Sequence, residues 1–474
     1  MRMDAPFLFS SCYHKGNGVK KVKVGAYTRI NHKNISNFDP NLQINSSRIE
    51  IMMKRHIVCA ALACVLLFSV SSCKKKEMFD EEVYNEILKI ESPIDPIDSQ
   101  QRWNLTTNRV ATITVPASLK GQKRLMVLTD NPLTNPKTVI MAESKTYNSG
   151  DNFLVFAAPK VQTTFYAALE QDDGSLFIKE FTSSNLRASM SDATQIAKPS
   201  YELGYQTFTY CYEENYPEPG DYDFNDCVMR ISVEPGDKSN QRKIKVTLVA
   251  TGGNKLLAAA INILNYKYTD IESVETSDGK IWDDGYPVHR YLVDHTEMLL
   301  EGRQGEAVIR LFENASWQMV RNDADNAGAL INYKVNVTKT VSDKEIQANY
   351  TTKTFIVTFK ESAMALLNNF SLLNLDPFLV TSYNSGTWET HTYEQKHANI
   401  LFEGVNQNSG NVTWALCIPD GEFRWPLEGH IIGTSKDGVI TGAYREYGHA
   451  FGQWAANRNK AQDWYQYPTT TEVY

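Results

Sequence analysis

The sequence lacks the short motifs that announce common catalytic chemistries. No HExxH, GxSxG, phosphate-binding Walker loop or Rossmann glycine fingerprint occurs in its 474 residues. No Lys/Arg-rich stripe with interleaved aromatics is present either, and that excludes a nucleic-acid-binding face as the organising feature. Cysteine is sparse, at 7 residues with no CxxC spacing, so zinc-ribbon and thioredoxin-like chemistry has no support. There is no internal repeat of 20–50 residues, and no apolar run is long enough to span a bilayer. What remains is ordinary globular composition: 42% hydrophobic, 11% aromatic and 22% charged, with formal charge −7. Up to residue 73 there are 10 basic and 3 acidic residues, so the rest carries 38 against 52 and a net charge of −14. Length and composition together fit two or three domains of a folded, acidic protein.

The clearest signal is an address. Lys54 and Arg55 precede an apolar run, Ile57 to Val70, which ends in Ser71-Ser72-Cys73. A positive flank, a short apolar stretch and small residues before a cysteine read as a bacterial lipoprotein signal over residues 53–73. Cys73 is then the lipidated mature N-terminus, and two or three acyl chains hold a protein to a membrane where one does not. The competing reading is a short buried helix. Residues 1–52 lie upstream of this complete signal and read as an over-called start, with a genuine pre-extension as the alternative. Of the remaining cysteines only Cys211, Cys227 and Cys417 belong to the mature body, and they are expected to be half-buried thiols. The lysines after Cys73 favour the outer membrane over retention in the inner one.

Residues 74–101 read as a tether, with a lysine run, a short acidic helix and the proline-broken SPIDPIDS. Strand patterns begin after Trp103. In VATITV, Ala111, Ile113 and Val115 point one way and Thr112 and Thr114 the other; RLMVLTD, FLVFAA, TTFYAALE and LFIKEF follow. Asp173-Gly174 between two of these runs predicts a type I′ hairpin. Residues 102–185 are therefore expected to form a small Ig-like antiparallel sandwich, followed by a Ser/Ala-rich separator. Residues 200–474 carry further strands (QTFTYCYE, CVMRISV, KIKVTLVA, AAINILNY, AVIRLFE, ALINYKVNVT, TKTFIVTFK, FLVTSYN and HANILFE). The expectation is all-β: a larger jelly-roll-type sandwich with a short C-terminal helix placing Tyr447, Phe451, Trp454 and Ala455 on one face.

One segment carries chemistry, YEENYPEPGDYDFNDCVMRISV. Pro217, Pro219 and Gly220 set a turn, and Asp221, Asp223, Asn225 and Asp226 follow within six residues, directly before an alternating strand. Four oxygen-bearing side chains on one turn repel one another unless a cation or hydrogen-bond donors compensate. Ca²⁺ takes six to eight such oxygens, and Glu213 and Glu214 are placed to complete its shell. The segment is no EF-hand: Asp226 stands where that loop needs glycine, Ser232 where it needs glutamate, and a strand follows. The alternatives are that these side chains cap the turn's own N–H groups, or that two of them form a catalytic carboxylate pair.

Here the sequence resembles the LruC-domain lipoproteins, a family widespread in Bacteroidetes. The resemblance rests on GDYDFND with its following apolar strand, on WALCIPDGEFRWPLEGHII, on AYREYGHAFGQWAAN and on DWYQYP, and covers about residues 200 to 470. It implies that Asp221, Asp223, Asn225 and Asp226 are signature positions. It also implies a surface or outer-membrane location, with no assigned activity. Cys227 departs from the aliphatic residue usual there.

Weaker features are His289 and His295, six residues apart and poorly spaced for a shared metal, and the acidic-aromatic loop Ile281 to Pro287. Trp414, Trp425, Trp454 and Trp464 suit either buried packing or stacking on sugar rings. The leading functional expectation is a non-enzymatic surface lipoprotein presenting a calcium-stabilised recognition module to a glycan or protein ligand. A structural part in an envelope or appendage assembly is the second, and a two-carboxylate glycoside hydrolase the third. Membrane contact comes through the lipid, and nucleic acid is not a partner.

Overall fold

The computed structural model describes residues 92–280, 282, 297–321, 333–340, 345–383, 386–393, 398–399, 404–405 and 412–474. Cys73, the signal segment, the first part of the tether, and His289 and His295 lie outside the described residues. Among the described residues no helix is long and apolar enough to cross a membrane.

The N-terminal module contains strands β1 (Thr106–Val115), β2 (Arg124–Leu128), β3 (Ile140–Ser144), β4 (Gly150–Pro159), β5 (Thr164–Glu170), β6 (Leu176–Thr182), β7 (Arg187–Ser189) and β8 (Thr194–Ile196). They form a three-stranded sheet in the order β4-β1-β7 and a five-stranded sheet in the order β3-β2-β5-β6-β8. The alternation expected of VATITV places Ala111, Ile113 and Val115 in the core with Leu125, Val127, Phe156 and Phe165. The even residues of β2, Met126 and Leu128, face the opposite side, where Leu203 and Tyr205 cover them. Strands β7 and β8 come from the Ser/Ala-rich stretch read as a separator, so this sandwich extends past residue 185. The hairpin at Asp173-Gly174 is present, but Gly174 alone has positive φ (83°). The Gly174 N–H donates to Gln171 O (3.0 Å), and Asp173 Oδ1 accepts from Ser175 N (2.9 Å). The turn is therefore a five-residue loop closed by a left-handed glycine rather than type I′, which needs two positive φ angles.

The second module contains β9 (Thr207–Tyr212), β10 (Cys227–Pro235), β11 (Gln241–Ala250), β12 (Leu257–Lys267), β13 (Ile271–Thr276), β14 (Leu299–Glu301), β15 (Glu306–Phe312), β16 (Lys334–Val335), β17 (Glu345–Ile346), β18 (Thr351–Phe359), β19 (Leu375–Tyr383), β20 (Gly386–His391), β21 (Ala398–Asn399), β22 (Gly404–Val405) and β23 (Ala415–Ile418). A six-stranded sheet, β13-β18-β11-β10-β9-β23, faces a seven-stranded sheet, β14-β15-β12-β19-β20-β21-β22. Cys227, Met229 and Ile231 of β10 meet Leu257, Ala259 and Ile261 of β12 in the core between them. The fold is all-β sandwich, as expected.

The six-stranded sheet is buried on both faces around β9, β23 and the start of β10. Val228 and Cys211 point away from the inter-sheet core, into a second one built with Trp425, Tyr444, Phe451, Trp454 and Trp464. These belong to the C-terminal segment, which lies across the outer face of the sheet and includes a short helix, α3 (Phe451–Ala456); α1 (Ala315–Arg321) and α2 (Met364–Leu367) precede it. Phe451, Trp454 and Ala455 are buried as expected, whereas Tyr447 is 84% exposed. It precedes the helix, because Gly448 takes φ 92° and turns the chain before Phe451. The tether also ends earlier than expected. Ile94, Trp103 and Leu105 enter this same core; the Gln101 amide donates to Trp454 O (2.8 Å), and Asp98 pairs with Arg458 at 2.8 Å. Residues 92–101 are therefore packed chain.

Candidate metal centre

Strands β9 and β10 are antiparallel neighbours, with Tyr212 opposite Cys227. The acidic segment, residues 213–226, is the connection between them, so pairing of these two strands brings Glu213 back against the aspartates of the same loop. Inward alternation of Tyr210 and Tyr212 ends at the sheet edge, and Glu213 begins the turn fully buried. Tyr222 and Phe224 hold positive φ (61° and 54°), a conformation that side chains other than glycine rarely adopt. They alternate with the acids as expected, and both enter the outer core with Phe451 and Trp454. This burial sets the loop's shape and orients Asp223 and Asn225.

Ligand oxygens of Glu213, Asp221 and Asp223 all lie within 4.8 Å of one another. Glu213 and Asp223 are buried, and Asp221 is exposed at the mouth. The Phe224 N–H donates to Glu213 Oε1 (2.7 Å). Glu213 Oε2 is buried with no hydrogen-bond partner, as is Asn225 Oδ1. Asp223 accepts from Asn225 N (3.2 Å) and from Gly429 N (3.0 Å). Asp226 accepts from Glu214 N (2.7 Å). Glu214 in turn accepts from Asn254 N (3.0 Å) and Lys255 N (2.7 Å). The six sequence-predicted residues thus divide. Glu213, Asp221 and Asp223 converge; Glu214 ties the loop to the turn at 252–255 by capping Asn254 and Lys255; Asp226 caps Glu214 N within the loop; and the Asn225 amide donates to Pro426 O (3.3 Å).

Electrostatics follow from this crowding. Burial first, and then the charges of Asp226, Asp223 and Asp221, push the Glu213 carboxyl well above its ordinary range. Burial, Asp221 and Glu428 raise Asp223 to about 8. Asp226 is raised by burial and by Glu214 and Asp223. Without a cation, the buried acids are favoured protonated; a cation among them reverses that preference.

Ca²⁺ fits this donor set. Its oxygens lie at about 2.3–2.6 Å, so two ligands of one ion stand at most about 5 Å apart, in keeping with the observed clustering. Glycines give the acids room: a Cβ on Gly220 would lie 1.9 Å from Glu213 Oε2, one on Gly252 2.0 Å from Asn225 Oδ1, and one on Gly253 2.4 Å from Glu214 Oε2.

Sequence reasoning missed Glu428, Lys334, Gly252 and Gly253, and read Gly220 as a turn residue only. Glu428 is ion-paired to Lys334, and its charge helps to raise the Asp223 carboxyl. Its signal was the acidic residue directly after RWPL, far along the chain. A second buried polar group was also missed: His391 Nδ1 bonds Asp376 (2.8 Å), its Nε2 faces Glu389 (3.4 Å), and Arg303 pairs with Glu389. Glu389 and His391 share one face of β20 at strand spacing, the only sequence cue to that group.

Of the two readings of the tryptophans, buried packing is the one the structure shows. Trp414, Trp425, Trp454 and Trp464 are each at most 1% exposed, and Trp282, the described residue of its loop, packs edge-on against Phe312 at 5.2 Å. Cys211, Cys227 and Cys417 are free thiols. The pairing of β9 with β10 and β23 places Cys211 and Cys227 on opposite faces of the sheet, and burial raises all three thiols.

Fold and site together define an all-β protein of two sandwiches with a buried carboxylate cluster on a strand connection. Residues 238–465 match a family described as a domain of unknown function, DUF4842. The match starts after the acidic loop and spans most of the second sandwich with its C-terminal cover. No curated protein matches the chain. A solved structure described as a "Putative lipoprotein from Bacteroides ovatus" is similar over 75% of this chain and 99% of its own, at 12% identity and a TM-score of 0.47.

Proposed function

We propose that this chain is a lipid-anchored envelope protein whose second sandwich is a calcium-stabilised recognition module, held at the outer membrane through Cys73. The anchor rests on the lipoprotein signal pattern of residues 53–73, and the LruC-type assignment on the motifs quoted for it. The calcium reading rests on one observation above all: Glu213 Oε2, fully buried and without a hydrogen-bond partner, lies beside Asp221 and Asp223. A buried carboxylate oxygen left bare is costly, whereas a bound cation satisfies it. Glu213, Asp221 and Asp223 would hold the ion, with Asn225 Oδ1 as a neutral oxygen nearby. The ion would supply positive charge that locks the loop, and the module would present its surface to a glycan or protein without catalysis.

Matched melts of the full chain in detergent test the metal. Extracellular calcium modules bind at about 10⁻⁴–10⁻³ M, so a few millimolar Ca²⁺ adds on the order of 1–2 kcal/mol. For a chain this large that raises the melting temperature by about 2–4 °C per kcal/mol. Asp223→Ala should abolish the shift. Identical wild-type melts in EDTA and in Ca²⁺ would remove the metal from the proposal.

A further inference from the structure

The acidic loop touches a part of the chain some 200 residues away. The Asp223 carboxylate accepts from Gly429 N (3.0 Å), the Asn225 amide donates to Pro426 O (3.3 Å), and the Ile432 N–H donates to Tyr222 O (2.7 Å). Three residues of the loop, Tyr222, Asp223 and Asn225, thus grip residues 426–432. Beyond that grip, the Glu428 N–H donates to Val337 O (2.9 Å), and its side chain pairs with Lys334. Residues 426–432 open the C-terminal segment that covers the outer face of the six-stranded sheet, and Trp425 of that cover donates its indole N–H to Asn336 O (2.8 Å). The same cover receives the N-terminal linker through Ile94 and Trp103.

Resting on the calcium reading, we infer that the ion is a clasp for the C-terminal segment: metal held by Glu213, Asp221 and Asp223 fixes the loop geometry in which Asp223, Asn225 and Tyr222 bind residues 426–432. Without the ion, no cation links the Glu213, Asp221 and Asp223 carboxyls at the point where the segment meets the sheet. Opening is then easiest at 426–432, and the aromatic core beneath it is the surface that opening uncovers.

Hydrogen exchange on the full chain in detergent, with and without Ca²⁺, tests this, alongside Tb³⁺ luminescence and its displacement by Ca²⁺ as an independent report of binding. At free Ca²⁺ about ten times the dissociation constant, amides in 426–432 that exchange through this opening should slow about tenfold. Amides of β2 and β5 in the first sandwich should not change. Glu213→Gln keeps the side chain's shape and should lose both the Tb³⁺ signal and the calcium protection. Ca²⁺ that displaces Tb³⁺ yet leaves exchange at 426–432 unchanged overturns the clasp and leaves the metal site standing. Absence of any Tb³⁺ or Ca²⁺ binding overturns the metal reading, and the clasp with it. The wild-type comparison decides even if the variant does not fold.

Discussion

Asp223 is the residue on which the centre turns, because its two oxygens hold the loop to Asn225 and to Gly429. Its metal-free carboxyl is raised to about 8 from an ordinary 3.8. A raised carboxyl means that the folded chain binds more protons than the unfolded chain between those values. Its contribution to stability is therefore full below about pH 4 and is lost as pH rises toward 8. Asp223→Asn removes that titration, so in EDTA the variant should gain on wild type as pH rises from 5 to 8. The slope is at most about 1.4 kcal/mol per pH unit. Melts of both proteins at several pH values measure the difference; parallel curves would show that the carboxyl titrates normally. Saturating Ca²⁺ should flatten the wild-type dependence, because the ion holds the carboxylate charged.

At the scale of elements, α3 shows how a short helix becomes indispensable. Six residues are too few to be stable by propensity, so α3 stands on what it buries. Phe451 lies edge-on to Trp464 at 5.0 Å, and Trp103 lies edge-on to Trp454 at 5.6 Å. Trp454→Ala should cost about 3–5 kcal/mol, since the cavity opens between two sequence-distant segments that cannot both collapse into it. Denaturant melts check the value. A loss under about 1 kcal/mol would mean that the cover contributes little to global stability. Its position also explains why period-based reading misplaced Tyr447: a helical pattern assigns faces only from the residue where the helix starts, and Gly448 sets that start.

For the whole molecule, both ends of the described chain meet on the outer face of one sheet. Ile94 and Trp103 arrive from the side of the anchor, and Trp454 and Trp464 from the C-terminal end. If Cys73 carries the lipid, fewer than twenty residues separate it from packed chain at Ser92, and at about 3.3–3.6 Å per residue Ser92 lies at most about 70 Å from the lipidated residue. Metabolic palmitate labelling should follow Cys73, and Cys73→Ala should leave the protein unlabelled and released from the membrane fraction. A protein that still labels without Cys73 ends the lipoprotein reading. A chain begun at Met53 should be exported and processed as the longer one is; a requirement for residues 1–52 would show that they are a true extension.

Much was legible without coordinates. Period-two alternation identified the strands, because a half-buried strand must place every second side chain in the core. The density of acids after a Pro/Gly turn marked the loop, because like charges so close in sequence require compensation wherever the chain goes. Tertiary structure decided which acids share a point in space. Glu213 and Glu214 are adjacent in sequence, yet one joins Asp221 and Asp223 while the other caps Asn254 and Lys255, since successive residues leaving a strand point to opposite sides. It also decided that four tryptophans are core rather than platform, and that residues 92–101 are packed rather than free. Both outcomes depend on segments hundreds of residues apart meeting across one sheet face, and local periodicity holds no information about such contacts.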